Sequence, residues 1–311
     1  MADEVTLTID GRQVKARRGQ TILQAALEAG IEIPHLCYHP RLKPTGACRL
    51  CVVEVEGARA LVASCAAPVA EGMVVHTRSE RVIKARRLVL ELLLSDHPLD
   101  CLTCESAGEC LLQKYAYEYG VESSRFVGEV HRLPRLETPF FEYDPNKCIL
   151  CGRCVAACYD IRGRGVLDFM GRGFATIIKP PLDMLHIDAG CELCGECVQV
   201  CPVGALVEKS RRLRGRTWEV KKTRTLCPYC GVGCEIEIHT YKNRITHISA
   251  VEDSPVNRGS LCVKGRFGWD FVHSDERLKR PLVRKGRRFV ETSWDEALSL
   301  VAERLLEIRD E

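Results

Sequence analysis

Apolar and polar residues alternate at the start of the chain. An Asp-Gly pair at 10–11 separates two alternating runs, whose apolar positions are Val5, Leu7, Ile9 and Val14. A period of two predicts a strand, and an Asp-Gly pair between two such runs predicts a tight turn. The sequence therefore predicts a β-hairpin over residues 4–17.

Two later segments have the periodicity of helices. Thr21 and Gln24 form a capping box at the start of the first, which ends at Gly30. The second covers residues 79–95 and stops at an Asp-His-Pro sequence at 96–98, since the residue before a proline disfavours the helical conformation.

Shorter sequence patterns predict the remaining elements. Residues 52–55 are rich in valine and predict a strand, and a hairpin is expected around Gly171 and Gly173. The segment 134–145 begins and ends with proline and predicts a linker. Ser293 opens a capping box for a helix at the C-terminus. This mixture of elements predicts an α+β protein with several domains.

Length and composition agree with several small domains outside the membrane. A chain of 311 residues suggests roughly two to four domains. The formal net charge of +3 counts every cysteine as a neutral thiol, so thiolate ligands would cancel this basic excess. The longest apolar stretch, 88–94, is interrupted by Glu91 and is far shorter than the roughly 20 residues that span a bilayer. We expect no membrane insertion.

The cysteines are the most informative residues. The chain contains 19, many of them in C-x2-C groups, and its first residues lack the pattern of a secretory signal. We therefore expect a cytoplasmic location, where disulfides are rare, and an odd cysteine count also argues against a disulfide framework. Short cysteine loops supply the converging thiolates that iron–sulfur clusters need.

The first set has the spacing C-x10-C-x2-C-x13-C and consists of Cys37, Cys48, Cys51 and Cys65. Gly46 lets the backbone pass close to a cofactor. Four ligands in a loop after a hairpin and a helix fit a [2Fe–2S] cluster. Zinc is the alternative, because C-x2-C pairs are common in zinc ribbons.

The second set contains three cysteines and one histidine within 97–110: His97, Cys101, Cys104 and Cys110. Three cysteines alone would leave one iron of a cubane without a protein ligand, and His97 stands where a fourth ligand is expected. By spacing alone, however, a lone histidine is more often an ordinary side chain than a ligand.

The third set is an internal duplication of C-x2-C-x2-C-x3-C. Its two runs are Cys148, Cys151, Cys154 and Cys158, then Cys191, Cys194, Cys197 and Cys201, which Pro202 follows. In two-cluster ferredoxins the fourth cysteine of each run serves the other cluster, so Cys201 is expected with the first run and Cys158 with the second. The first run is followed by Tyr159 instead of proline, a departure from the small-ferredoxin form. Independent zinc sites are the alternative.

The fourth set consists of Cys227, Cys230, Cys234 and Cys262. Gly231 and Gly233 keep the first turn small enough to wrap a cubane, although zinc is again possible by spacing. The four sets use four, three, eight and four cysteines, which together are all 19 in the chain. No thiol is left to act as a nucleophile.

The amino-acid sequences of these segments resemble those of known families. HLCYHP at 35–40 and TGACRLCVVEVEG at 45–57 resemble the large peripheral subunit of respiratory complex I, iron-only hydrogenases and NAD-linked formate dehydrogenases. The pattern at 97–110 is similar to the histidine-ligated [4Fe–4S] site of that group, which implies His97 as a ligand. LCPYCGVGCEIEI and SPVNRGSLCVKGRFG resemble the cluster domain of molybdenum or tungsten bis-pterin oxidoreductases, where a lysine, here Lys264, lies between cluster and pterin.

The resemblance implies a series of cluster-bearing domains. They are a [2Fe–2S] β-grasp ferredoxin domain over 1–78, a [4Fe–4S] domain with one histidine and three cysteine ligands over 79–138, a two-[4Fe–4S] ferredoxin domain over 139–210, a bis-pterin-type [4Fe–4S] domain over 220–276, and the start of a pterin-binding body over 277–311. The expected cofactors are one [2Fe–2S] and four [4Fe–4S] clusters. The combination is most similar to the catalytic subunit of NAD-linked formate dehydrogenase.

The expected role is electron transfer. SWDEAL at 293–298 resembles the first helix of the pterin-binding body, whose catalytic residues would lie beyond Glu311. We therefore expect no Mo/W-bis-pterin in this chain alone, and electron relay between a formate dehydrogenase-type site and a flavin- and NAD-binding partner. No G-x-G-x-x-G or P-loop motif is present. A short adaptor subunit of a hydrogenase or complex I-like oxidoreductase is the alternative, and a zinc-binding interaction protein is a remote one.

One basic segment is open to two interpretations. Residues 210–224 carry six arginines and lysines: Arg211, Arg212, Arg214, Arg216, Lys221 and Lys222. Such a segment could dock an acidic partner or nucleic acid, but a solvated connector is the ordinary interpretation. We therefore expect no nucleic-acid partner.

Overall fold

The computed structural model describes residues 4–184, 186–211 and 215–311. These form two compact units, Met1–Phe267 and Gly268–Glu311, which are described separately. Arg212 and Arg214 of the basic segment lie outside the described residues.

A five-stranded sheet and a helix open the first unit. The strands are β1 (Glu4–Ile9), β2 (Arg12–Arg17), β3 (Val52–Val55), β4 (Val62–Ala63) and β5 (Val74–His76), and the helix is α1 (Ile22–Glu28). The strand order in the sheet is β2-β1-β5-β3-β4. β1 and β2 form the predicted hairpin, and β1 pairs in parallel with β5. α1 starts at the predicted capping box of Thr21 and Gln24. This is the expected β-grasp arrangement.

The core of this sheet consists of the apolar positions that the alternation identified. Leu7 and Ile9 of β1 are buried against Ile22 and Leu23 of α1, and all four are at most 1% exposed. Burial of each such side chain contributes about 1.5–3 kcal/mol. The cysteine loops that follow are therefore mounted on a rigid support.

Two helices follow, α2 (Glu80–Leu94) and α3 (Leu111–Glu118). α2 lies within the predicted helical segment 79–95, and Ser79 caps it by accepting a hydrogen bond from the Val82 backbone N–H at 3.3 Å. α2 buries Leu90 and Leu94 in a core that also contains Leu112 of α3. The turns between the helices carry the second cysteine set.

The next region has the form of a ferredoxin. It consists of β6 (Leu136–Glu137), β7 (Phe141–Tyr143), α4 (Arg153–Ala156), β8 (Asp168–Met170), β9 (Ile177–Lys179), α5 (Glu196–Gln199) and β10 (Leu206–Glu208). β8 and β9 form the hairpin that was expected around Gly171 and Gly173. A π-helical turn over Ala157–Ile161 directly follows α4 and carries Cys158.

The predicted linker at 134–145 is wrong. This segment contains β6 and β7, and β7 pairs with β10 from more than sixty residues later in the chain. Phe141 and Tyr143 are at most 4% exposed, because this pairing places them in the same core as Leu206. The prolines at its ends lie beside the short strands and do not prevent them from pairing.

A three-stranded antiparallel sheet completes the first unit. Its elements are β11 (Lys221–Leu226), β12 (Glu235–Tyr241), β13 (Arg244–Ala250) and the short helix α6 (Val263–Phe267). Part of the basic segment is β11, whose residues are all exposed. Arg211, however, forms an ion pair with Glu109 at 2.6 Å, so the segment is not simply a solvated connector.

The second unit contains β14 (Leu282–Lys285), β15 (Arg288–Glu291) and α7 (Trp294–Asp310). The predicted capping box of Ser293 and Glu296 begins α7. Within the ranges that the structure describes, no helix has the length and apolar character needed to cross a membrane.

Candidate iron–sulfur sites

The structure brings the first cysteine set together in the loops at one end of the β-grasp sheet. Cys37 and Cys48 each donate a backbone N–H to the other's Sγ at 3.5 Å. The pKa of Cys37 is lowered, chiefly by side-chain hydrogen bonding with Cys48 and then with Cys65. The pKa of Cys51 falls to about 6, chiefly because of side-chain hydrogen bonding with Cys65. The four sulfurs thus converge on one place.

Buried polar contacts hold the backbone beside these cysteines. Ser64, which is fully buried, donates its hydroxyl to the Cys51 carbonyl at 2.7 Å. Arg86 of α2 is 1% exposed and donates to the carbonyl of Val52 at 2.8 Å. Such outer contacts orient ligand side chains in metal sites. They anchor Cys51 and Cys65 at neighbouring positions.

The three cysteines of the second set lie in the turns before α3. Cys110 caps that helix through its sulfur, which accepts the Gln113 N–H at 3.5 Å. Burial raises the pKa of the Cys110 thiol to about 11. Cys104 lies so close to Gly204 that a Cβ atom at that glycine would be 2.5 Å from its Sγ. This set therefore lies directly against the segment that follows Cys201.

His97 lies half-buried just after α2. Burial lowers the pKa of its imidazole, and its buried Nδ1 atom has no hydrogen-bond partner among the described residues. A buried polar atom without a partner costs free energy unless a ligand or water satisfies it. The ring is thus suited to a ligand role, and its ligation stays a prediction.

The eight cysteines of the third set line two cavities, four in each. One cavity is lined by Cys148, Cys151, Cys154 and Cys201. A second is lined by Cys158, Cys191, Cys194 and Cys197. The last cysteine of each run thus lies with the first three of the other, which is the crossed arrangement expected for two cubanes.

The duplicated runs also share an unusual backbone. Leu150 and Leu193 occupy equivalent positions and have φ angles of 50° and 53°. Each donates its N–H to the sulfur two residues earlier, at 3.4 and 3.3 Å respectively. A left-handed conformation costs a residue other than glycine about 1–2 kcal/mol. Strain of this kind is concentrated at functional sites, where the surrounding structure maintains it.

The fourth set is gathered around the start of β12. The Cys227 N–H donates to the Cys234 carbonyl at 2.8 Å. Burial raises the pKa of Cys234, and the thiolates of Cys227, Cys230 and Cys262 act in the same direction. Lys264 lies on the exposed side of α6, two residues after Cys262.

Asn257 connects the distant Cys262 segment to this site. Its side chain accepts the Glu235 N–H at 2.8 Å and donates to the carbonyls of Glu235 and Ser260 at 3.1 and 3.0 Å. Across the described ranges, no three His, Cys, Asp or Glu side chains lie close enough together to hold a single metal ion.

Sequence reasoning missed several buried charges between the sites. Arg153, Glu196 and Arg266 are 6%, 0% and 1% exposed. Arg266 of α6 donates to the Cys194 carbonyl at 3.0 Å, and Arg41 pairs with Glu196 at 2.6 Å. The only available signal was position, since Arg153 and Glu196 lie inside the cysteine runs. A charged residue in a loop is otherwise expected to be exposed.

Five family models match the chain. They are a 2Fe-2S iron-sulfur cluster binding domain at residues 2–80, an NADH-ubiquinone oxidoreductase-G iron-sulfur binding region at 86–125, a ferredoxin-like domain of NADH-quinone oxidoreductase subunit 3 at 138–207, a molybdopterin oxidoreductase Fe4S4 domain at 220–274, and a molybdopterin oxidoreductase model at 277–311. The expected fold classes are confirmed.

Whole-chain relatives agree with these models. The NADPH-Fe(3+) oxidoreductase subunit alpha of Geobacter sulfurreducens is 40% identical over 98% of this chain. The mitochondrial NADH-ubiquinone oxidoreductase 78 kDa subunit of Candida albicans is 40% identical over 96%. The chain spans 35% of the length of the first relative and 41% of the second.

A solved structure completes the comparison. A chain of an NAD+-reducing [NiFe]-hydrogenase in the H2-reduced state is 38% identical, with a TM-score of 0.63, and the match covers 68% of this chain and 90% of that one. Our chain therefore belongs to the family of iron–sulfur subunits that includes the 78 kDa subunit of NADH-ubiquinone oxidoreductase and this hydrogenase chain, and is a multi-cluster electron-transfer module of that family.

Proposed function

We propose that the chain holds five iron–sulfur clusters and relays electrons between a formate dehydrogenase-type Mo/W-pterin site and a flavin- and NAD-binding partner. The observation that supports this most directly is the pair of cavities in the ferredoxin region, each lined by four cysteines in the crossed pattern. Each cluster, when bound, supplies a one-electron redox site.

The proposed ligands form five sets. One [2Fe–2S] cluster is assigned to Cys37, Cys48, Cys51 and Cys65, and four [4Fe–4S] clusters are assigned to His97 with Cys101, Cys104 and Cys110, to Cys148, Cys151, Cys154 and Cys201, to Cys158, Cys191, Cys194 and Cys197, and to Cys227, Cys230, Cys234 and Cys262. The contacts among sulfurs of the first set and the unpartnered His97 Nδ1 support two of these assignments. The domain limits at 1–78, 79–138, 139–210, 220–276 and 277–311 belong to the same proposal.

The formate dehydrogenase link rests on the last part of the chain. Two molybdopterin oxidoreductase models match it, at 220–274 and 277–311, after the ferredoxin region with its eight cysteines. Lys264 is exposed beside Cys262, so its ammonium group is free to extend from this site toward a pterin. Names of the relatives that include NADH and NADPH support a nicotinamide-linked partner. The large number of thiols supports a cytoplasmic location.

A second candidate is an adaptor that serves a hydrogenase. The match to 90% of the NAD+-reducing hydrogenase chain specifically favours it. The two functions predict different electron donors. In the enzyme purified with all its subunits, reduction of the clusters by formate but not by H2 would support the first, and the reverse result would support the second.

The first test is metal analysis of the anaerobically purified protein. One two-iron and four four-iron clusters predict about 18 iron and about 18 acid-labile sulfide per chain. About 14 of each would mean that one cubane is missing, with the His97 and Cys227 sites the first to examine. Zinc with little iron would overturn the electron-transfer function.

A further inference from the structure

Arg153 occupies a singular position in the first cysteine run. It lies between Cys151 and Cys154 at the start of α4 and is only 6% exposed. Its Nε atom is buried and has no hydrogen-bond partner among the described residues. An arginine is almost never buried to this degree unless nearby groups compensate its charge.

The guanidinium group connects two of the proposed sites. Its Nη2 donates to the carbonyl of Tyr38, the residue after Cys37. Its Nη1 donates to the carbonyl of Val200 at 3.4 Å, the residue before Cys201. One side chain thus holds the backbone next to a ligand of the [2Fe–2S] set and the backbone next to a ligand of the first cubane.

The surrounding charges identify what compensates this cation. The thiolates of Cys151, Cys201, Cys37 and Cys48 are the negative charges that act on the buried guanidinium of Arg153. These four cysteines belong to the same two ligand sets. Both hydrogen-bond acceptors of Arg153 are neutral carbonyl groups, so the negative charge that balances it comes from the two sites.

The equivalent residue of the second run shows a different arrangement. Glu196 stands where Arg153 stands in the first run, and it is fully buried. Its Oε1 receives a hydrogen bond from Arg41 Nη2 at 2.6 Å, in a salt bridge. Segment 38–41 therefore contacts both runs at equivalent positions. Only in the second run does a partner of opposite charge on this segment neutralise the charged residue.

We propose that Arg153 is a positioning residue shared by two clusters, whose positive charge raises the reduction potentials of both the [2Fe–2S] cluster and the cubane at Cys148, Cys151, Cys154 and Cys201. A nearby cation stabilises the reduced form, which carries the additional negative charge. Its two hydrogen bonds also hold these two ligand loops against each other. The proposal rests on the ligand assignment of the proposed function.

Three substitutions separate charge from hydrogen bonding. Arg153→Lys keeps the charge and loses the planar two-armed geometry, whereas Arg153→Gln loses the charge and keeps an uncharged amide donor on a shorter side chain. Arg153→Met removes both. The control is Arg87→Gln, since Arg87 also donates to a backbone carbonyl, that of Tyr119 at 2.9 Å, but on the exposed side of α2.

The potentials of both clusters are measured in the cluster-loaded protein by redox titration followed by electron paramagnetic resonance. We expect Arg153→Gln and Arg153→Met to lower the equilibrium constant for reducing each of the two clusters about tenfold, which is 59 mV for a one-electron couple. Arg153→Lys and Arg87→Gln should stay close to the wild type. Unchanged potentials in the glutamine variant, or equal shifts in the lysine and methionine variants, would overturn the proposal.

Iron analysis of the same samples separates this proposal from the one on which it depends. Wild-type protein with about 18 iron per chain supports the ligand sets, whatever the potentials show. If only Arg153→Met loses iron, the potentials of the two clusters in Arg153→Gln, which retains them, test the role of charge. If both neutral variants lose the iron of these two clusters while Arg153→Lys retains it, the requirement for a cation between the two sites is supported directly.

Discussion

Replacement of Gly204 by alanine tests how the second and third cysteine sets are packed. A Cβ atom at this position would lie 2.5 Å from Cys104 Sγ, well inside the optimum of about 3.5–4.0 Å for non-bonded carbon atoms. Gly204 does not have a positive φ angle, so the substitution creates a steric conflict without backbone strain. The sulfur or the Pro202–Gly204 segment must move.

The consequence depends on whether Cys104 binds iron. A free thiol can rotate away from the new methyl group at little cost, whereas a sulfur bound to iron cannot. Insertion of a methyl group into a close-packed site costs about 1–3 kcal/mol. If this cost destabilises the binding of one cubane, the protein should lose that cluster. Iron should then fall from about 18 to about 14 per chain, and one cubane signal should disappear from the paramagnetic resonance spectrum.

The matched control is Gly128→Ala. This glycine also lacks a positive φ angle, and a Cβ atom there would meet no heavy atom within 4 Å. It should retain the wild-type iron content. If Gly204→Ala also retains about 18 iron and every cubane signal, the idea that Cys104 is held in this place as a ligand is refuted.

Three further predictions follow. His97→Cys should lower the potential of one cubane, because thiolate adds negative charge where imidazole adds none, and an unchanged redox titration would argue against ligation. Asn257→Ala should lose the fourth cubane, seen as about four fewer iron atoms per chain, because Cys262 is no longer held to Glu235; an unchanged iron content would contradict this role. Burial, and to a lesser degree the positive charge of Lys222, lowers the pKa of His239 to about 4. Below about pH 6.5 this histidine is therefore protonated in the unfolded chain but still neutral in the folded one. The free energy of unfolding should fall by up to about 3 kcal/mol between pH 6.5 and pH 4. Thermal unfolding should show a smaller loss in His239→Gln, and an equal loss would exclude this histidine as the cause.

Several elements could be predicted because their signals are local. The hairpin of β1 and β2 follows from alternation and an Asp-Gly turn, and the capping boxes at Thr21 and Ser293 begin helices as expected. In each case the residues that determine the conformation are within a few positions of one another, so no distant contact is needed to choose it.

The segment 134–145 shows where local reasoning fails. Its prolines are typical of a linker, yet β7 finds a partner in β10 and becomes part of the core. Strand propensity depends strongly on such packing. Since that partner lies more than sixty residues away, no window around β7 contains the information.

The sequence by itself determined which side chains are candidate ligands. Iron–sulfur clusters require thiolates at characteristic spacings, and these cysteine spacings can be recognised directly in the sequence. The tertiary structure decided which loops meet. It put Cys104 against Gly204 and buried Arg153 between two sites. Burial and charge compensation are properties of surfaces brought together from distant parts of the chain, and for that reason only the folded protein could show them.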